Sequence, residues 1–331
     1  MLRIILLFPF SMVYKAITSF RNLLFDLKYF KETPINIQSI GVGNLTVGGT
    51  GKTPTIAYLI EKLSDKHLAV LSRGYGRKTS GFVEIKNTST PKEVGDEPLM
   101  LYKKYQNKAK FFVCEKRVLG YRTILEKYPE TETLLLDDVF QHRHIKPQKL
   151  ILLCDYSRPF FEDYLLPSGN LREAKSGAKR ASVVLVTKCP NNLSEDQKKH
   201  FKTQIDTYTK AQSPVFFSEF KKSVPTNYLG EKLTAKENCI IVAALAKNEA
   251  FYEEWKDTYI INEKYFFNDH HSYTKENVLA ISSENKKVIT TEKDFVKIEN
   301  QLSEAQKSNF YIVKLSLEVQ NEEGFLNALF A

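Results

Sequence analysis

Uninterrupted apolar runs recur along the chain. They fall at Ile40 to Val42, Leu68 to Ser72 (LAVLS), Lys110 to Cys114 (KFFVC), Leu134 to Asp138 (LLLDD), Leu150 to Cys154 (LILLC) and Ser182 to Thr187 (SVVLVT). After a polar, Lys-rich stretch from 191 to 237, broken only by Pro214 to Phe217, they resume at Cys239 to Leu245, Val288 to Thr291 and Phe310 to Leu315. A strand with one wet face alternates apolar and polar residues. These runs do not, so they predict strands covered on both faces, as in a parallel sheet with helical crossovers. The expected fold is α/β, a doubly wound, mostly parallel sheet. The polar stretch divides it into a core at 35–190 and a smaller C-terminal α/β lobe at 191–331.

The first 34 residues follow another pattern. From Met12 onward, Val13, Ile17, Phe20, Leu23, Leu24 and Leu27 recur at helical spacing, with Lys15, Arg21, Lys28 and Lys31 between them and Arg3 near the start. The uncharged run from Ile4 to Tyr14 is too short to span a bilayer, and no small-residue cleavage site follows it. A basic amphipathic helix lying in the membrane interface is the expectation, against a helix packed on the protein's own core.

Composition narrows the partners. At 331 residues the chain can bury one large or two smaller cores, and its formal charge of +9 suits an anionic membrane surface, phosphorylated substrates or nucleic acid. The four cysteines, Cys114, Cys154, Cys189 and Cys239, lack metal-ligand spacing. They read as buried, reduced thiols of a cytosolic protein.

The strongest local chemistry follows the first strand. Ile40 to Val42 runs into Thr46, Val47, Gly48, Gly49, Thr50, Gly51, Lys52 and Thr53, and then into a helical pattern. Strand, glycine-rich turn, Gly-Lys-Thr and helix is the order of a P-loop. Glycines let successive amides turn inward on phosphate oxygens, and the helix N-terminus adds unpaired donors. Lys52 would reach the β- and γ-phosphates, and the Thr53 hydroxyl would ligate Mg²⁺. Thr46 stands where the general pattern has glycine.

Other candidates lie at strand ends, where open parallel sheets bind ligands. Asp137 and Asp138 close an apolar run as a Walker B strand does, with Gln141, His142, Arg143 and His144 directly after. Asp96 and Glu97 open a helical segment, and either could be a general base. The charged loop LLPSGNLREAKSGAKR (165 to 180) is a solvated face or a site for an anionic group, and SRGYGRK is a ligand loop or a solvated turn. In Asp269-His270-His271, adjacent histidines diverge, so one histidine acting with a distant carboxylate fits better than a metal pair.

In order, GVGNLTVGGTGKTPT, SRGYGRK, VGDEPLML, LLLDDVFQHR, LPSGNLREA, FFNDHHSYT and TTEKDFVKI resemble the tetraacyldisaccharide 4′-kinases, the lipid A 4′-kinases of Gram-negative bacteria. The likeness runs from the N-terminal helix to about residue 300. Thr46 matches that family's own P-loop, and Val139 departs from its more usual glycine. The resemblance implies a P-loop NTPase-like core and transfer of the γ-phosphoryl group of ATP, with Mg²⁺, to the 4′-hydroxyl of an anionic disaccharide lipid. It places the protein at the cytoplasmic face of the inner membrane, with no nucleic acid and no obligate protein partner. By motif position, Lys52 and Thr53 bind phosphate and Mg²⁺, Asp137 and Asp138 form the metal site, and Asp96 is the base, tuned by His270 or His271. Arg117, Gln141, Arg172 and Glu173 also fall on functional positions, with Glu97 and His142 beside them. A P-loop ATPase or GTPase switch without a lipid acceptor is the alternative.

Overall fold

The structure, a computed structural model, describes residues 2–63, 67–210, 213–282 and 286–330; the side chains of residues 2–5, Arg3 and Ile4 among them, lie outside that set. Nine strands form the larger sheet. Across it they run Leu315–Val319, Val215–Lys222, Val183–Thr187, Lys149–Asp155, Gln38–Asn44, Thr133–Asp137, Leu68–Ser72, Lys110–Val113 and Val83–Glu84. All neighbours are parallel except the outermost pair at each edge. Successive side chains point to opposite faces, so Val70 and Leu71 enter different cores. On one face Ile40, Val42, Val70, Leu135 and Ile151 pack with Ile56 and Leu59 of helix Lys52–Lys62 and with Phe325 of helix Glu322–Phe330. On the other, Leu71, Leu134 and Leu136 meet helix Arg117–Lys127, and Val184 and Val186 meet Glu195–Asp206. Each fully buried aliphatic side chain contributes about 1.5–3 kcal/mol. Burial of both faces explains why the strands read as unbroken apolar runs. All four cysteines are buried and free.

The smaller lobe is a parallel sheet in the order Ile260–Phe266, Asn238–Ala243, Lys287–Thr291 and Phe310–Val313. Its extent corrects the boundary expected at 190/191. Strand Val215–Lys222 extends the larger sheet, and the chain leaves the small lobe after Val313 to add strand Leu315–Val319 and the C-terminal helix to the core. Leu315–Val319 (LSLEV) alternates polar and apolar residues because it is an edge strand, so a search for unbroken runs merges its start with the strand before it. The lobes touch where helix Asp96–Tyr105 lies along helix Glu292–Ile298, with Val296 in the larger lobe's core and ion pairs Lys104–Glu292 (3.1 Å) and Lys103–Glu299 at the rim.

The N-terminal helix spans Leu2–Asp26. Its inward side is largely polar: Ser11 donates to the Leu165 carbonyl (3.1 Å), Tyr14 to the Arg172 carbonyl (2.8 Å) and Asn22 to Glu173 (2.8 Å), while Phe25 is buried. Its outward side is apolar, with Phe10, Val13, Ile17 and Phe20 each more than 60% exposed. The helix is thus tied to the core by its inward side and leaves its hydrophobic stripe uncovered. No helix among the described residues is long and apolar enough to cross a membrane.

Candidate active site

The loop after Gln38–Asn44 is held open by ties to its carbonyls. Asn44 Nδ2 donates to the Thr46 carbonyl (2.7 Å), Arg158 to Val47 (3.4 Å), Lys188 Nζ to Gly49 (2.5 Å) and Thr187 to Thr50 (2.8 Å). With the carbonyls drawn outward, the amides of Gly48, Gly49 and Gly51 make no backbone bond among the described residues and are free for an anion. Gly51 has φ +93°, and a Cβ there would meet the Phe220 ring at 2.4 Å, so only glycine fits. Helix Lys52–Lys62 starts directly after it, with Lys52 Nζ 3.5 Å from both Asn44 Oδ1 and Asp138 Oδ1.

Asp137 ends its strand, and Asp138 (φ +48°) takes the left-handed conformation that aspartate tolerates, turning the chain sharply at the sheet edge. Arg172 Nη1 binds both Asp138 oxygens at 3.2 Å. Burial alone would raise the Asp138 carboxyl, but Lys52 and Arg172 hold it below the usual range. Burial and the neighbouring Asp138 and Glu97 push Asp137 up to about 6. Arg117 sits beneath, donating to the Asp137 carbonyl (3.0 Å). Gln141 donates to Glu173 Oε1 (3.0 Å), and Arg172 to Gln141 Oε1 (3.4 Å), so Arg172, Gln141 and Glu173 form one network that continues to Asn22 of the N-terminal helix. Burial, then Arg117 and Arg73, press His142 down to about 4, which leaves it neutral at pH 7.

A second group assembles across the lobes. Gly95 (φ +89°, ψ 153°) occupies a region open only to glycine, and a Cβ would meet the Tyr75 carbonyl at 2.9 Å. This kink starts helix Asp96–Tyr105 with Asp96 buried and Glu97 beside it. Glu97 Oε2 accepts the Thr53 hydroxyl at 2.6 Å, which joins this helix to the start of the loop helix. His270, itself left-handed (φ +61°), presents Nδ1 to Asp96 at 3.0 Å. Lys293 Nζ lies 3.4 Å from His270 Nε2 and 3.7 Å from Asp96, and Lys297 Nζ lies 3.6 Å from Asp96. Facing a carboxylate, which can only accept, His270 Nδ1 is the donor to Asp96. Burial would raise the Asp96 carboxyl, but Lys293, His270 and Lys297 more than offset it and hold it below the ordinary carboxylate range. His271 is occupied elsewhere, stacked on Phe267 and bound to Asn277 at 3.0 Å.

Lys293 and Lys297 carried no role in the sequence reading. Their spacing of four on one helix was visible, since such residues share a face, but nothing local said what that face meets. Thr291 caps the helix by accepting Asp294 N–H (3.1 Å), and buried Asp294 accepts Ala244 N–H (3.0 Å), which fixes the helix to the lobe's central strand. Lys188, which also donates to the Gly49 carbonyl, is paired with Asp155 at 2.5 Å.

An open cradle of amides, a lysine and hydroxyl at the helix start, strand-end carboxylates and a separate ionised carboxylate can together move a phosphoryl group from a nucleotide to a hydroxyl. The arrangement defines a nucleotide-dependent phosphotransferase. Residues 3–331 match the family model of tetraacyldisaccharide-1-P 4′-kinase. The chain is 40% identical to the tetraacyldisaccharide 4′-kinase of Flavobacterium psychrophilum, over 96% of this chain and 94% of that protein, and 36% identical to that of Cytophaga hutchinsonii, over 96% and 92%. It superposes on LpxK from Aquifex aeolicus, solved in complex with ATP, with a TM-score of 0.80 at 28% identity, covering 100% of this chain and 99% of that one. The chain belongs to the tetraacyldisaccharide-1-P 4′-kinase family.

Proposed function

We propose that the chain transfers the γ-phosphoryl group of ATP to the 4′-hydroxyl of a tetraacyldisaccharide 1-phosphate, a step of lipid A biosynthesis. One observation carries the assignment of roles: Asp96, flanked by His270, Lys293 and Lys297, is the immediate neighbour of Glu97, which binds Thr53 of the loop helix. Base and nucleotide loop are thus one hydrogen bond apart.

In the reaction the 4′-oxygen attacks the γ-phosphorus, the bond to the β-phosphate oxygen breaks, and the hydroxyl proton passes to Asp96. A general base of this kind contributes about 10²- to 10⁴-fold. Lys52 and the loop amides meet the charge that shifts toward the β-phosphate. Lys293 and Lys297 keep Asp96 ionised to receive the proton, and the His270 ring orients it.

Mg²⁺ fits the residues present. Asp137 Oδ1 is shut off from solvent with no hydrogen-bond partner among the described residues, and the charges acting on that carboxyl include Asp138, Glu97 and Lys52. Such an oxygen donor set suits a hard divalent cation. Thr53, Asp137 and Asp138 would hold it. Mg²⁺ keeps several waters and shares phosphate oxygens, so one or two carboxylates suffice to hold it. Once bound, it would neutralise charge on the β- and γ-phosphates.

The outward apolar stripe of the N-terminal helix, with Lys15, Arg21 and Lys28 exposed, supports a seat in the membrane interface, where the acceptor resides. We place that seat at the cytoplasmic face of the inner membrane, where ATP is supplied. The test is incubation with γ-labelled ATP, Mg²⁺ and extracted disaccharide lipid. Label recovered on the lipid is expected. Label released only as inorganic phosphate, at a rate indifferent to lipid, would favour the ATPase switch.

A further inference from the structure

Behind the glycine turn, two residues at the end of a nearby strand hold its backbone, and a buried carboxylate holds one of them. Thr187 ends strand Val183–Thr187, beside Asp155 of strand Lys149–Asp155, and Lys188 follows directly. The Thr187 hydroxyl donates to the Thr50 carbonyl (2.8 Å). Lys188 Nζ donates to the Gly49 carbonyl and to Asp155 Oδ2, both at 2.5 Å. Two successive residues thus grip two successive carbonyls. Asp155 is 4% exposed, and its other oxygen accepts the Ser157 N–H (2.9 Å) and hydroxyl (2.8 Å). Burial would raise the Asp155 carboxyl, but Lys188 and Ser157 more than offset it and keep it ionised at pH 7. Lys188 itself is left-handed (φ +60°), a conformation uncommon outside glycine. The chain on either side is fixed by Tyr156 N–H on the Thr187 carbonyl (2.9 Å) and Cys189 N–H on the Ser218 carbonyl (3.0 Å). Such an outlier persists only where its surroundings over-determine it.

We propose that Lys188, anchored by Asp155, is a positioning residue that sets the amides of the glycine turn for phosphate oxygens, which rests on the reading of that turn as the nucleotide's phosphate site. A trans peptide points its carbonyl and its N–H in opposite directions. The Gly49 carbonyl on Lys188 therefore turns the Thr50 N–H the other way, where it meets the Gly48 carbonyl (3.1 Å). That bond in turn fixes the peptide between Gly48 and Gly49, and the Gly49 N–H is left without a backbone partner among the described residues. Thr187 does the same for the Gly51 N–H by holding the Thr50 carbonyl. A Cβ at Gly49 would meet nothing within 4 Å, so the turn is gripped from behind rather than packed from in front. Glycine backbone is the freest to reorient, so such a grip counts most here. The Lys188 charge is balanced by Asp155 and its nitrogen is engaged by a carbonyl. It acts on phosphate through the turn, not as a second Lys52.

The test compares the full chain with Lys188→Met, Asp155→Asn and the two combined. Calorimetry gives affinities for ATP with Mg²⁺. Competition against ATP gives those for tripolyphosphate, which carries the phosphates without base or ribose. Lys188→Met should weaken both ligands by about tenfold or more, the scale of one hydrogen bond to a charged group. KM for ATP should rise in step, while KM for the disaccharide lipid and the ligand-free Tm change little. Asp155→Asn leaves the Lys188 charge in place but loosens its anchor, so it should also weaken both ligands. The double variant should bind no worse than Lys188→Met, because the two residues act as one unit. Unchanged or tighter binding in Asp155→Asn would overturn the proposal, since Lys188 would then meet phosphate directly. A loss for ATP without one for tripolyphosphate would also overturn it, by placing Lys188 at the base or ribose. A wild type that binds both ligands, with Lys188→Met equal to it, would remove this proposal alone. A wild type that binds neither would remove the nucleotide reading with it.

Discussion

The proposed site has two halves built in opposite ways. The nucleotide half is contiguous: the glycine turn, Lys52 and Thr53 lie within one short stretch, and its supports come from neighbouring strand ends of the same sheet. The acceptor half is assembled: Asp96 comes from the larger lobe, His270 and the two lysines from the smaller, far apart in sequence. A contiguous motif can be recognised without a fold. An assembled one becomes visible only when helix Glu292–Ile298 is laid against helix Asp96–Tyr105. The halves should also fail differently, one in nucleotide handling and the other in acceptor chemistry.

Asp96→Asn should lower kcat for lipid phosphorylation by about 10²- to 10⁴-fold, with ATP affinity nearly unchanged by calorimetry. If ATP binding is lost instead, Asp96 belongs to the nucleotide half and Glu97 becomes the candidate base. Lys52→Ala should lower kcat/KM by about 10²-fold or more with respect to ATP; near-normal turnover would remove the loop from the nucleotide half. His270→Ala should cut kcat by roughly tenfold, the low end of a positioning effect on a base, whereas His271→Ala should act mainly through stability, read as a lowered Tm.

Lys297→Met sharpens the comparison through pH. Asp96 is held below the usual carboxylate range by its cations, so the acid limb of the pH profile of kcat/KM should lie low in the wild type. Removing one cation moves that limb to higher pH. The sign for stability is the same: the contribution of the ionised Asp96 is present above its unfolded pKa and lost as pH falls through the folded one. A limb that stays in place in Lys297→Met would show that the lysine only packs the lobes together.

How much could be read in the sequence follows the same division. The strands with both faces buried were legible as unbroken runs such as LAVLS and SVVLVT. Ile260–Phe266 and Leu315–Val319 were not, because strands at sheet edges alternate with Glu and Lys. The carboxylate pair at 137 and 138 was legible from its strand, but its grip by Arg172 was not, since that contact depends on a loop 34 positions away. Sequence could not decide between His270 and His271. The left-handed turn at His270, which aims one ring at Asp96 and leaves the other stacked on Phe267, makes the difference.

The most direct test of a base assembled across the two lobes is a double-mutant cycle on label transfer from γ-labelled ATP to the disaccharide lipid. It uses Asp96→Asn, His270→Ala and both together, with ATP binding measured on the same samples. If the two residues act as one unit, the double variant should be scarcely slower than Asp96→Asn alone, and all three should bind ATP alike. Losses that simply multiply would mean that His270 and Asp96 work independently, and would contradict the account.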